Sequence, residues 1–196
     1  MTHGSTHDSL FTAWNVVRLP LRKHFKSRFP GMNVRRLHEK FSTDVLYGPC
    51  KDVLGRTHAQ IFYGSISGYT HAEPLNDFKG FGVTLLDFIR KVGAMDELRN
   101  DNASNQISEK VQEILRWFYI KQTTSEPHHQ HQNAVEGRIG DLLVLINRVL
   151  DRRNAPEQFW YLALQWVIDV DNIIATKRGG QVASPIQRAF GVTPDC

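Results

Sequence analysis

The chain has 196 residues, 41% of them hydrophobic and 22% charged, a balance that excludes a disordered chain and is enough for one domain with a real core. The formal net charge of +4 and pI of about 9.2 suit a polyanionic partner without requiring one. No run approaches the roughly 18 apolar residues of a membrane span, so no membrane partner is expected, and the polar stretch from Met1 to Ser9 does not read as a secretory leader.

Residues 1–38 read as a basic, partly disordered N-terminal arm, with a possible short helix near Leu10 to Val17. Between Arg18 and Lys40 the bases Arg22, Lys23, Lys26 and Arg28 stand among others against a single acid, Glu39. Such a segment could track phosphates and release counterions, or simply be a solvated arm. The first strong element is Phe41 to Tyr47, where Phe41, Thr43, Val45 and Tyr47 alternate with Ser42, Asp44 and Leu46 as in a strand. His58 to Gly64 and Tyr69 to Leu75 read as two further strands, joined by turn residues from Gly64 to Gly68.

The period then changes. Val83, Leu86 and Ile89 fall on one side of a helix from about Asp77 to Val92, which Gly93 stops. Met95 to Asn100 reads as a fourth strand. Ile107, Val111, Ile114 and Phe118 fit a second amphipathic helix, and Tyr119 to Thr124 a fifth strand. A polar loop from Ser125 to Gln132 carries Pro127 and the histidines His128, His129 and His131. These lack a cysteine or acid at ligand spacing, so a solvated loop is the better reading than zinc.

Two long helical patterns follow. Ile139, Leu142, Ile146 and Leu150 mark the first, and Phe159, Leu162, Trp166 and Val170 the second, with Pro156 ahead of it. The tail from Gly179 reads as loop. Trp117, Trp160 and Trp166 are expected in the core or at its edge. Cys50 and Cys196 have no pairing logic, which suits a reducing intracellular compartment. Nor are they the close cysteine pair of a His-His-Cys-Cys zinc module. The order βββ-α-β-α-β-α-α predicts an α/β fold: a mixed five-stranded sheet flanked by helices, the RNase H-like arrangement, with a core over 39–178 and a tail over 179–196.

Phosphoryl transfer on DNA by two divalent ions needs a few carboxylates held close together on rigid elements, because Mg²⁺ prefers oxygen ligands. Three acids meet that need. Asp44 sits mid-strand among apolar residues. Asp101 follows the fourth strand, and Glu136 opens a long helix 35 residues later. In this topology the first and fourth strands are neighbours, which would set Asp44 and Asp101 side by side, with Glu136 brought over by its helix. Taken singly, Asp101 is an ordinary turn residue and Glu136 an ordinary first-turn acid.

The run Phe41-Ser-Thr-Asp44, then Asp101-Asn-Ala, then Glu136 resembles the D,D(35)E signature of retroviral and retrotransposon integrases. The segment from Ile120 to Glu136, with Pro127 and then Gln132-Asn133 ahead of the Glu, is similar to copia-type retrotransposon integrases. So are the stretches Pro185 to Phe190 and Phe190 to Asp195. The resemblance implies a Mg²⁺- or Mn²⁺-dependent polynucleotidyl transferase that processes DNA 3′ ends and joins them to target DNA. It implies nuclear action and a homo-multimer. Asp44 and Asp101 would share the metals, Glu136 would complete the second site, and Gln132, Asn133 and Arg138 would lie near DNA.

The sequence also departs from that pattern. Gly137 and Gly140 each cost a helix about 1 kcal/mol relative to alanine, and Leu143 stands where a basic residue would meet DNA. Little or no activity is therefore expected from this chain alone. A truncated, inactive remnant that still binds nucleic acid is the alternative. A hydrolytic nuclease of RNase H type, which has no Glu at this spacing, ranks last.

Overall fold

The computed structural model describes residues 27–75, 80–100, 108–124 and 134–194. A five-stranded sheet has the order β3-β2-β1-β4-β5. Its strands are β1 (Arg36–Tyr47), β2 (His58–Gly64), β3 (Thr70–Leu75), β4 (Ala94–Asn100) and β5 (Lys121–Thr124). Between them run α1 (Phe81–Lys91) and α2 (Glu109–Trp117), followed by α3 (Ala134–Arg153) and α4 (Trp160–Ile173). β1 and β2 pair antiparallel, as do β2 and β3, whereas β1–β4 and β4–β5 are parallel. The mixed sheet and its meander are those expected from the order of periods.

The alternation of β1 divides two cores. Phe41 joins Leu98, Met95 and the apolar faces of α1 and α2, including Leu85, Phe88, Val111 and Ile114. Leu46 joins Ala59, Ile61 and Ala72 under α3 and α4, through Val135, Leu142, Ile146, Leu164 and Val167. Helices thus cover both faces, because each face of the central strands carries its own apolar set. Gly93 ends α1 with φ +141, and a Cβ there would lie 2.7 Å from the carbonyl oxygen of Arg35. Only glycine fits that backbone.

Two expectations need correction. β1 begins at Arg36, so it takes in Arg36 to His38, placed in the arm from sequence. A register irregularity between Leu37 and Lys40 breaks the alternation there. The buried Glu39 of this stretch accepts the backbone N–H groups of Ile66 and Ser67 at 2.8 and 2.9 Å, so a carboxylate closes the β2–β3 turn.

The tail, in turn, is not loop-like. β6 (Thr176–Arg178) and β7 (Gln181–Ala183) form a hairpin turned by Gly179 and Gly180, and α5 (Pro185–Phe190) follows it. Arg178 donates to the Tyr63 hydroxyl and the Ser65 carbonyl, and Arg188 to the Ser67 carbonyl. Phe190 meets Tyr69 edge-on at 4.9 Å. Among the tryptophans, Trp160 lies in the core, and Trp117 and Trp166 are 57% and 56% exposed. Trp14, His128, His129, His131 and the suggested helix at 10–17 lie outside the described residues.

Candidate active site

Under α3 and α4 the sheet is apolar on β2 and β3. Toward β4 and β5 the same face turns polar. Register places Lys40, Ser42 and Asp44 of β1 on one face with Glu97 and Arg99 of β4 and with Lys121 and Thr123 of β5. Two contacts tie this floor together. Lys40 Nζ lies 2.8 Å from Glu97 Oε1, and Thr123 Oγ1 donates to the same oxygen at 2.7 Å. The Lys40 ammonium, then the Thr123 hydroxyl, hold the Glu97 carboxyl below the usual range against a smaller opposing effect of burial. Glu97 is therefore a committed ion-pair partner, not a spare carboxylate. Sequence reading missed this trio because its members are far apart in the chain and meet only through the parallel register.

Asp44 is half-buried and pairs across the ladder with Ile61. Its Oδ1 accepts the Val45 backbone N–H at 2.7 Å. It lies on the α3 side of the sheet, between Ser42 and Leu46. The β1–β4 pairing runs to Thr43 opposite Asn100. Asp44 is the next residue of β1, and β4 ends one residue before Asp101. Asp101 itself lies outside the described residues, as do Gln132, Asn133, Arg22, Lys23 and Lys26. Arg28 is described and exposed.

Glu136 is exposed in the first turn of α3, where a carboxylate is favoured by the helix dipole. Its neighbour Val135 is fully buried and belongs to the same core as Leu46 and Ile61. That anchor seats the start of α3 on the face that carries Asp44. Among the described residues no three His, Cys, Asp or Glu side chains gather as a metal site. Asp44 and Glu136 are two of the three acids expected there, and both offer the oxygen donors that Mg²⁺ prefers.

The rest of α3 differs from the DNA-facing helix expected of it. A Cβ at Gly137 or Gly140 would meet nothing within 4 Å, so both positions open to solvent. Arg138, expected near DNA, is turned inward with a side chain only 15% exposed. Its Nε donates to Thr70 Oγ1 at 3.0 Å and its Nη2 to Asp171 Oδ2 at 2.7 Å, joining α3 to β3 and α4. Asn172 completes that join by bracketing the backbone of Thr70, accepting its N–H at 3.0 Å and donating to its carbonyl at 2.8 Å. Leu143 and Val144, at 37% and 49% exposure, add apolar rather than basic surface.

No family model matches the chain, and no curated protein sequence matches it. Among solved structures it is similar to the HTLV-2 integrase catalytic core domain, described as a trimeric form in complex with magnesium. The TM-score is 0.61 at 17% identity, over 79% of this chain and 97% of that one. The fold is that of a retroviral integrase catalytic core: an RNase H-like α/β fold with a mixed five-stranded sheet flanked by helices.

Proposed function

We propose that this chain is the catalytic core of a copia-type retrotransposon integrase, a polynucleotidyl transferase that processes and joins DNA ends. The observation that supports this reading is the placement of Asp44. It lies on the α3-covered face of β1, at the level where β4 delivers the chain to Asp101, with Glu136 in the first turn of α3. In this reading Asp44, Asp101 and Glu136 would hold the Mg²⁺ or Mn²⁺ ions. When bound, the ions supply charge stabilisation at the attacking and leaving oxygens. Gln132 and Asn133 orient the DNA end. Arg22, Lys23, Lys26 and Arg28 follow the phosphates, which positions DNA without specifying sequence. The chain acts in the nucleus, as a homo-multimer.

A second reading is favoured by one observation. In the first turns of α3 the only base is Arg138, and its guanidinium is engaged by Thr70 and Asp171. Gly137, Gly140 and Leu143 add no cation beside it. A core that has lost the DNA contacts of this helix, and turnover with them, while binding DNA elsewhere, fits that surface.

Strand transfer of a DNA-end oligonucleotide in Mn²⁺ separates the two. The unmodified chain is expected to show little or no product. The double variant Gly137→Arg, Gly140→Gln has open space for both side chains. Removing two helix glycines recovers about 2 kcal/mol of helix stability and firms the turn that holds Glu136, so product is expected to rise. Robust turnover by the unmodified chain would mean the glycines matter little. DNA binding with no product from either protein would favour the inactive remnant.

A further inference from the structure

The outer seam between α3 and α4 holds a groove of about 570 Å³. It lies along the C-terminal half of α3. Glu136 and Arg148 are 12 positions apart on this helix, about 18 Å along its axis, so the groove is separate from the candidate active site. Its floor is aliphatic: Leu145 and Val149 of α3 face Val167 and Val170 of α4. Trp166 and Ile174 stand along it, 56% and 49% exposed. The exposed indole stands beside an aliphatic trough and gives an apolar side chain of a partner a place to pack.

The edge of the groove is cationic. Arg148, Arg152 and Arg153 recur at helical spacing beside Leu145 and Val149, so one stripe of α3 is apolar and the next is basic. Among the described residues no ion pair engages any of the three. The one acid in the lining, Asp171, is held by Arg138. The groove therefore offers three uncompensated positive charges over an apolar trough.

We propose that this groove docks an acidic amphipathic helix of a partner protein. Two parallel ridges with a trough between them accept a third helix, whose apolar anchors fall at i, i+3 and i+7. Carboxylates flanking those anchors meet the arginines, which bind such groups bidentately. Charge and the apolar floor together argue against the other occupants. A second copy placed by a two-fold axis sets cationic edge against cationic edge. A DNA duplex satisfies the arginines but presents a phosphate ridge, with nothing apolar to fill the trough.

The test uses the full chain and a fluorescein-labelled helical peptide of about 15 residues, with leucines along one face and glutamates elsewhere. Anisotropy reads binding. The acidic peptide is expected to bind, and its lysine counterpart is not. Trp166→Ala and the double variant Arg148→Glu, Arg152→Glu each weaken binding roughly tenfold or more. Both are expected to melt close to the unmodified chain, because the residues changed are exposed. Unlabelled duplex DNA does not displace the peptide. The proposal is overturned if the acidic peptide fails to bind, if the lysine peptide binds equally, or if neither variant weakens binding. Displacement by DNA would assign the groove to nucleic acid. Self-association lost in the double arginine variant would assign it to a second copy.

Discussion

Trp160→Ala is expected to destabilise the chain by about 3–5 kcal/mol, a large share of the roughly 5–15 kcal/mol of an ordinary domain. Trp160 is 1% exposed and opens α4. Its Nε1 donates to the Cys50 carbonyl at 3.0 Å, and its ring meets Tyr161 edge-on at 5.6 Å. Gly48 lies flat against the indole, and a Cβ there would collide with the ring. The indole thus fastens the start of α4 to the chain just beyond β1, the strand that carries Asp44. Deleting it leaves a cavity that the sheet edge and α4 cannot both close. Trp160→Phe keeps most of the volume but leaves the Cys50 carbonyl without its donor, so the loss is expected at about 1–2 kcal/mol. Denaturant midpoints measure both. A loss under about 1 kcal/mol for the alanine variant would show that this contact does not hold the two elements together.

Asp52→Asn is expected to cost about 3 kcal/mol near neutral pH and to flatten the acid limb of the stability curve. Asp52 is buried, and its carboxylate accepts the N–H groups of Leu54 and Arg56 at 2.9 and 2.7 Å and the Arg56 Nε at 2.6 Å. The Arg56 guanidinium lies 4.0 Å over the Tyr161 ring, so the pair joins the loop after β1 to α4. Burial pushes the Asp52 pKa up. The Arg56 backbone N–H and guanidinium and the Leu54 N–H outweigh it, and the net shift is downward.

The sign follows. A carboxyl that holds its proton less tightly folded than unfolded contributes stability above its unfolded pKa, about 4. That contribution is lost as pH falls through the folded value. At the alkaline end the reverse holds for Tyr161, whose phenol is pushed up to about 12, mainly by burial. Its contribution is present below the unfolded pKa of about 10 and is lost as pH rises toward the folded value. Urea unfolding between pH 2 and 7 should show the wild-type decline below about pH 4 and a shallower one in the variant. Parallel acid limbs would show that Asp52 is not the group responsible.

Periodicity made most of the fold legible because most elements bury one face. β2 matches its expected span, His58 to Gly64, since Ile61 and Phe62 point into opposite cores. α3 was evident from Leu142 and Ile146 at helical spacing, whereas the pattern of Phe159, Leu162 and Trp166 marked α4 as a helix but not its buried face, which includes Leu164, Val167 and Ile168. Where a polar residue does the structural work, the pattern is silent. Glu39 is buried as the cap of a turn, and the irregularity beside it hides the first residues of β1. The tail is held mainly by arginine donors to backbone carbonyls, which no hydrophobic period records.

The candidate site divides the same way. Asp44 was legible as a charge in an apolar strand, and the neighbouring order of β1 and β4 followed from the topology. The inward turn of Arg138 was not, because its partner Asp171 is 33 residues away and charge alone does not tell a DNA contact from an ion pair.

Asp44, Asp101 and Glu136 are proposed to form one divalent-metal centre. Calorimetric titration of Mn²⁺ into the full chain, beside Asp44→Asn, Asp101→Asn and Glu136→Gln, tests it most directly. Saturable binding by the unmodified chain is expected, weakened roughly tenfold or more by each substitution, because the carboxylates would share the ions. Binding left unchanged by Asp44→Asn or by Glu136→Gln would contradict the proposal.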